Sequence, residues 1–129
     1  KTRLNLSVRE QELMILRSAH HYACDYVWGH HVPVALEDGV SKEDILQTCV
    51  SLDEMSLPEN EKALLAATDE LLASANLSQT TWDALSSHYD EGQILDIITV
   101  ASQYLLFNSV NNVFGIRLEN DSMPTLGQV

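Results

Sequence analysis

Residues 7–31 read SVREQELMILRSAHHYACDYVWGHH, and they contain the strongest structural signals in the chain. The stretch opens with Ser7-Val-Arg-Glu10, a serine followed three residues later by a glutamate, which is the pattern of a capping box. Apolar residues at helical spacing follow this cap. We therefore predict a helix that runs to about Tyr22.

One charged residue lies on the apolar face of this helix. The face consists of Val8, Glu12, Ile15, Leu16, Ala19 and Ala23. We expect Glu12 to be buried, and a buried carboxylate needs either a hydrogen-bonded partner or a raised pKa. Two interpretations are open at this point: Glu12 is an acid–base group, or it forms a structural ion pair with Arg9 or Arg17.

Helix signals also dominate the rest of the chain, and no segment alternates as a half-buried strand would. We expect further helices at about 24–38, 41–50, 56–74, 78–88 and 90–115, the last ending in a left-handed cap at Gly115. Pro33 should kink the second helix. The pattern predicts an all-α bundle of about six helices, with one domain over residues 1–119 and a surface or mobile tail over 120–129.

The last helix is apolar almost all the way round between Ile94 and Phe114. Such a helix is either central in its own domain or covered by another subunit. Because the chain is small, we expect the second arrangement and hence a homo-oligomer. Asn108 and Asn112 lie one turn apart on this helix, where an interface or capping role is favoured over contact with a substrate.

The charge of the chain restricts its partners. Its 129 residues carry 7 basic and 19 acidic side chains, a formal net charge of −12. Nucleic acid and anionic lipid would be repelled, so we expect neither as a partner. The longest apolar run, residues 94–107, is too short and too polar to span a bilayer. With two cysteines, too few for a disulfide scaffold, a cytoplasmic location is the default expectation.

A thiol and an imidazole share one face of the second helix. Cys24 and His31 are seven residues apart, which is two helical turns. A thiolate in the first turn is stabilised by the helix dipole, and a histidine exchanges protons near neutral pH. With Glu12 from the preceding helix they would form an acid–base trio. The alternative is structural: a buried cysteine that packs as a small hydrophobe, and a histidine without a catalytic role.

The histidine pairs at 20–21 and 30–31 do not predict a metal site. Neighbouring residues on a helix point about 100° apart, so each pair offers one ligand to a given centre. The pair of histidines four residues apart with a glutamate, which marks a zinc helix, is missing from the sequence. A glycine-rich phosphate loop and a nucleophile elbow are missing as well. We therefore expect no metal and no cofactor.

Several motifs together resemble the carboxymuconolactone decarboxylase family, which includes the alkyl hydroperoxidase D-like (AhpD-like) proteins. The resemblance covers about residues 6 to 119. It rests on Arg-Glu-x-Glu-Leu-x-Ile-Leu-Arg at 9–17, Tyr-x-Trp-Gly-His-His at 26–31, Ala-x-x-x-Gly-Val-Ser-x-Glu-Asp-Ile at 35–45, Tyr-Asp-Glu at 89–91, and Asn-x-x-Gly-Ile-x-Leu-Glu at 112–119. It implies an all-helical fold, assembled as a homotrimer or homohexamer with sites near the subunit boundaries.

The resemblance also assigns candidate catalytic residues. The redox branch of the family uses a glutamate, a Cys-x-x-Cys pair and a histidine, which fall here on Glu12, Cys24 and His31. The second cysteine falls on Val27, so the dithiol–disulfide cycle cannot run within this motif. Cys49 could replace the missing thiol only if the fold brought it close.

Three functions follow from these observations. The first is a cofactor-free lyase or isomerase that transfers protons on a small organic acid or lactone, as in γ-carboxymuconolactone decarboxylation. Glu12 or His31 would deliver the proton, and Tyr26, His30 or Asn112 would orient the substrate. The second is a thiol-dependent peroxidase that uses Cys24 with an external thiol. The third is a non-catalytic oligomeric relative.

Overall fold

The structure, a computed structural model, describes residues 4–129 and is all-helical over that range. Six α-helices and one short 3-10 helix, Leu52–Glu54, make up its regular structure, and this confirms the predicted fold class. The helices are α1 (Val8–His21), α2 (Asp25–Glu37), α3 (Lys42–Gln47), α4 (Glu59–Ser74), α5 (Gln79–Ser86) and α6 (Glu91–Val113).

Most of the predicted caps form. Ser7 and Glu10 make a reciprocal capping box at the start of α1, and Gly115 follows α6 with a φ of +62°. The start of α4 differs from the prediction: Pro58, not Ser56, occupies the N-cap position. The backbone N–H of Ser56 instead donates to the Gln47 side chain at 2.7 Å. The fixed φ of proline then prepares the chain to enter the helix one residue later.

Helix α1 is the central element, because it packs against α2, α4 and α6. The middle of its predicted apolar face is buried, whereas Val8 at one end is exposed. Ala23 at the other end is exposed as well. It lies beyond the helix with a φ of +52°, in the tight connection that turns the chain into α2.

The two arginines of α1 are committed to other carboxylates. Arg17 makes paired contacts of 2.8 Å with Asp69 and also donates to backbone carbonyls. Arg9 bonds Glu61 and Asp44 at 2.7–2.8 Å. The proposed ion pair between Glu12 and either arginine is therefore not formed.

Helix α2 continues through Pro33 to Glu37. The segment after α6, residues 116–129, packs along α2, and we call it the C-terminal strap. The Trp28 indole donates to the Gln128 carbonyl at 2.9 Å, and the Leu126 N–H donates to Asp25 at 2.8 Å. A Cβ at Gly29 would lie 2.8 Å from the Pro124 carbonyl oxygen and 2.5 Å from the Leu118 side chain, and the backbone contact makes this position favour glycine where the strap approaches.

Helix α6 leaves a broad apolar surface uncovered in the single chain. Its exposed side chains include Leu95, Ile98, Leu105, Leu106, Phe107, Val110 and Val113. An apolar surface of this extent on a small protein is typical of an interface. Assembly as a homo-oligomer remains a prediction, and this surface of α6 is where we expect the subunits to meet. Within residues 4–129, no helix combines the length and apolarity needed to cross a membrane.

Candidate acid–base site

A buried carboxylate and a histidine meet between α1 and α2. Glu12 Oε1 lies 2.9 Å from His31 Nδ1, with 8% of the Glu12 side chain and 22% of the His31 side chain exposed. The close packing of the two helices brings these residues together across nineteen positions of sequence. Because Nδ1 donates to the carboxylate, Nε2 is the ring nitrogen that remains for chemistry.

Tyr104 of α6 completes a chain of three polar groups. Its hydroxyl lies 3.3 Å from His31 Nε2, and the two rings meet edge to face with centroids 5.4 Å apart. Burial, and then the negative charge of Glu12, raise the pKa of Tyr104, so this phenol stays protonated near neutral pH. In this order a carboxylate lies at one ring nitrogen of the imidazole and a phenol lies at the other.

Two cavities flank the group formed by Glu12, His31 and Tyr104. One, of about 290 Å³, is lined by His30, His31, Tyr26, Val27, Tyr104, Phe107 and Asn111. The other, of about 300 Å³, is lined by Leu4, Gln11, Glu12, Ile15, Thr99, Val100, Gln103 and Tyr104. We call the first the histidine cavity. It has aromatic and aliphatic walls and reaches both His31 and Tyr104, so a small molecule bound there would lie beside both side chains.

A second histidine–glutamate pair lies at the rim of the histidine cavity. His30 Nε2 is 2.7 Å from Glu119 Oε1, and the Tyr26 hydroxyl donates to Glu119 Oε2 at 2.8 Å. Two of the predicted substrate-orienting residues, Tyr26 and His30, are therefore held together by one carboxylate of the C-terminal strap. Their rings also lie in contact, tilted by 34°, with centroids 4.3 Å apart.

The predicted thiol, Cys24, is buried at the start of α2. Cys24 is the N-cap residue of α2 and is 1% exposed. It lines neither cavity, whereas Val27, where the redox branch has its second cysteine, lines the histidine cavity. Cys24 and Cys49 are both free thiols. Burial raises the pKa of Cys49, which makes it a poor replacement for a reactive resolving thiol.

The asparagines of α6 have structural contacts. The Asn112 amide donates to the Tyr22 carbonyl at 2.9 Å, at the end of α1, and Asn112 does not line the histidine cavity. Asn108 is fully buried and donates to Ser18 and to the Tyr104 carbonyl. The neighbouring Asn111 is the asparagine that reaches the cavity wall.

Two site residues were not singled out from the sequence. Tyr104 appeared there only as one member of an apolar helix, although a tyrosine among aliphatic residues usually finds a polar partner when it is buried. Glu119 appeared only within a motif, and nothing local connects it with α2, 89 residues away. As for metals, the described part of the chain contains no group of three or more His, Cys, Asp or Glu residues arranged to hold an ion.

Solved structures share this fold over nearly the whole chain. A protein of unknown function from Agrobacterium tumefaciens, proposed to be the antioxidant defence protein AhpD, matches with a TM-score of 0.82 at 22% identity, over 91% of this chain and 82% of its own. The alkylhydroperoxidase AhpD core of an uncharacterised peroxidase-related protein from Ralstonia eutropha matches with a TM-score of 0.82 at 21% identity, over 99% and 68%.

A third match, an uncharacterised peroxidase-related protein from a Silicibacter species, has a TM-score of 0.79 at 17% identity, over 95% of this chain and 64% of its own. At these identities the likeness establishes the AhpD-like fold. No curated protein matches the chain significantly. The model of the carboxymuconolactone decarboxylase family matches residues 3–70, more than half of the chain and the part that contains Glu12 and His31. The chain therefore belongs to the carboxymuconolactone decarboxylase family.

Proposed function

We propose that this protein is a cofactor-free lyase or isomerase that transfers protons on a small organic acid or lactone, with decarboxylation as the model reaction. The observation that carries the proposal is the chain Glu12–His31–Tyr104 beside the histidine cavity. It provides a buried carboxylate 2.9 Å from an imidazole and a protonated phenol 3.3 Å from the other ring nitrogen. A proton-transfer reaction that uses these three groups does not require a second thiol.

The proposed decarboxylation uses His31 as the acid. The bond between the ring carbon and the carboxylate breaks, carbon dioxide leaves, and the electron pair moves into the conjugated lactone as an enolate. His31, as the imidazolium, then gives its Nε2 proton to carbon, and solvent reprotonates the ring. Glu12 stabilises the imidazolium and fixes its orientation through Nδ1, which is the usual role of a carboxylate behind a catalytic histidine.

Tyr104 has a separate role in this proposal. Its phenol stays protonated because burial and the charge of Glu12 raise its pKa. A neutral donor at the cavity wall can hydrogen-bond the enolate oxygen as negative charge develops there. We assign Tyr104 to this stabilisation and His31 to proton delivery.

A thiol peroxidase has less support. Its nucleophile would be Cys24, which is 1% exposed and outside both cavities. Its resolving cysteine is replaced by Val27.

We also propose that the protein assembles as a homotrimer or homohexamer through the exposed apolar surface of α6, which would bury side chains such as Phe107 at the edge of the histidine cavity.

The ultraviolet absorbance of γ-carboxymuconolactone tests the proposal. We expect the wild type to convert it to the enol-lactone, Cys24→Ser to retain the rate, and His31→Gln to lose about 100-fold or more in kcat. The same proteins are then given cumene hydroperoxide and dithiothreitol. Peroxide turnover that depends on Cys24, with no conversion of the lactone, would replace the lyase proposal by the peroxidase.

A further inference from the structure

The Tyr26–His30 pair has the geometry of a carboxylate receptor. The two residues lie one turn apart on α2, and their polar hydrogens converge on a single carboxylate, one on each oxygen, at 2.8 and 2.7 Å. Paired donors to the two oxygens of one carboxylate are the arrangement by which proteins recognise carboxylate ligands. Both residues also line the histidine cavity. The carboxylate they bind in the single chain is that of Glu119.

Glu119 is an exposed ligand of this receptor. Its side chain is 56% exposed, whereas the Glu12 side chain is 8% exposed. The hydrogen bonds from Tyr26 and then His30 lower the pKa of Glu119, so the carboxylate is ionised near neutral pH. Ion pairs that face solvent are weak and exchange readily, since water competes for both partners. A second carboxylate can therefore take the place of Glu119.

The C-terminal strap keeps Glu119 near the receptor even when its side chain turns away. Leu118 packs against Gly29, and Gln128 and Leu126 are tied to α2 through Trp28 and Asp25. The exchange therefore needs a change of one exposed side chain and not the release of the strap. The effective concentration of Glu119 at the receptor stays high, as for any tethered ligand.

Among residues 4–129, which the structure describes, no lysine or arginine lines the histidine cavity, and the chain carries a formal net charge of −12. The described polar side chains that an anionic substrate meets in this cavity are neutral groups and histidines. Tyr26 and His30 are the two donors that already hold a carboxylate there. The other polar side chains that line the cavity, such as Asn111, share no hydrogen-bond acceptor with Tyr26 and His30 among the described residues.

We propose that Tyr26 and His30 bind a carboxylate of the substrate, and that Glu119 occupies this receptor as an internal competitor until the substrate displaces it. The proposal deepens the proposed function, since it assigns the substrate class, a small carboxylate, and the residues that recognise it. It also assigns the C-terminal strap a part in setting affinity. Its test is a binding measurement that needs no turnover.

Isothermal titration with benzoate tests the competition, and benzamide serves as the uncharged control ligand. If Glu119 leaves the receptor about one tenth of the time, removing it tightens benzoate binding about tenfold. We therefore expect Glu119→Gln and Glu119→Ala to lower the benzoate Kd by up to that factor. The Kd of benzamide should not fall with that of benzoate in these variants. Asp121→Asn, which removes a neighbouring exposed charge of the same strap, is the matched control and should stay near wild type.

Two further variants keep the test decisive. Tyr26→Phe and His30→Gln should each weaken benzoate binding in a Glu119→Ala background. Weaker benzoate binding in Glu119→Ala than in the wild type would overturn the competition. So would an equal gain in Asp121→Asn, because a general charge effect would then explain it. Tight benzoate binding by a protein that never converts a lactone would contradict the proposed lyase reaction and leave the receptor standing.

Discussion

Two neighbouring histidines of this protein each meet a glutamate, and their surroundings differ. His31 bonds Glu12 at 2.9 Å in the packed interface of α1 and α2, where 8% of the glutamate side chain is exposed. His30 bonds Glu119 at 2.7 Å at the cavity rim, where 56% of the glutamate side chain is exposed. Adjacent residues on a helix point in different directions, so one pair faces the core and the other faces solvent.

The comparison teaches that distance does not decide what a histidine–glutamate pair does. A pair in the interior is weakly screened and fixed by its packing, which suits proton transfer that needs one orientation. A pair at the surface is screened and exchangeable, which suits recognition of an incoming anion. Each region also contains a tyrosine, Tyr104 in the first and Tyr26 in the second, so matched substitutions can separate the two roles.

The largest contrast should appear between the two tyrosines. We expect Tyr104→Phe to lower kcat for the lactone by about 100-fold, the usual cost of losing one donor to a developing oxyanion. Tyr26→Phe should instead raise KM and leave kcat nearly unchanged, because it removes a binding contact made equally before and during the reaction. Steady-state kinetics of both variants gives the measurement. The division of roles fails if Tyr26→Phe loses kcat and Tyr104→Phe does not.

Stability should separate the two glutamates. Glu12→Ala leaves the His31 Nδ1–H without its partner in a mostly buried place, which typically costs about 1–3 kcal/mol of unfolding free energy. Glu119→Ala should leave the free energy of unfolding unchanged within error, since its carboxylate faces solvent. Urea unfolding at one fixed protein concentration measures both, because assembly also contributes to apparent stability. Equal losses in the two variants would mean that the strap pair is structural.

Tyrosine ionisation should distinguish the causes of two pKa shifts. The pKa of Tyr104 is raised first by burial and then by Glu12, whereas that of Tyr26 is raised first by its hydrogen bond to Glu119. Glu119→Gln should therefore return the pKa of Tyr26 towards its ordinary value of about 10. Glu12→Gln should leave the pKa of Tyr104 raised, because burial is the larger cause there. Carbon-13 NMR of labelled tyrosine rings gives the titrations. An unmoved Tyr26 would show that its hydroxyl is not bound to Glu119 in solution.

The same shifts fix the direction of alkaline destabilisation. Since the folded pKa of Tyr104 is raised, its contribution to stability is present below about pH 10 and is lost as the pH rises through the folded value. Tyr104→Phe should lose less of its unfolding free energy over this alkaline range than the wild type does. Thermal unfolding at a series of alkaline pH values checks the prediction, and a steeper loss in Tyr104→Phe would contradict it.

The smallest expected effect concerns the thiols. Cys24 is buried, and burial raises the pKa of the half-buried Cys49. We therefore expect both to react slowly with an aromatic disulfide reagent in the native protein, and Cys24 more slowly than Cys49. The single-thiol variants Cys49→Ser and Cys24→Ser allow each rate to be measured. A Cys24 that reacts faster than free cysteine would favour the peroxidase over the lyase.

The sequence predicted what local rules control. The capping box at Ser7, the order of the helices and the burial of Glu12 follow from local spacing in the sequence, and the structure confirms them. Helical spacing suggested Glu12, Cys24 and His31 as an acid–base trio, and the family resemblance assigned the same three residues. Periodicity alone left an arginine partner equally open, and the structure places both arginines on other carboxylates.

The rest of the site depends on contacts between distant residues. Tyr104 reaches His31 across 73 positions, and Glu119 reaches His30 across 89. Neither contact leaves a periodic signal, because it depends on how α6 and the C-terminal strap cross α2. The tail, residues 120–129, was expected at the surface or mobile. It lies at the surface, where its residues are exposed or half-buried, and composition gave no sign that Gln128 and Leu126 bond to α2.

We propose that the buried pair, Glu12 and His31, performs the chemistry and that the exposed pair, His30 and Glu119, does not. Steady-state kinetics of Glu12→Gln and Glu119→Gln on γ-carboxymuconolactone, measured side by side, tests it most directly. We expect Glu12→Gln to lose about 100-fold or more in kcat, the usual effect of removing a positioned acid–base group. We expect Glu119→Gln to keep kcat and to lower KM. Wild-type kcat in Glu12→Gln, with kcat lost in Glu119→Gln, would contradict it.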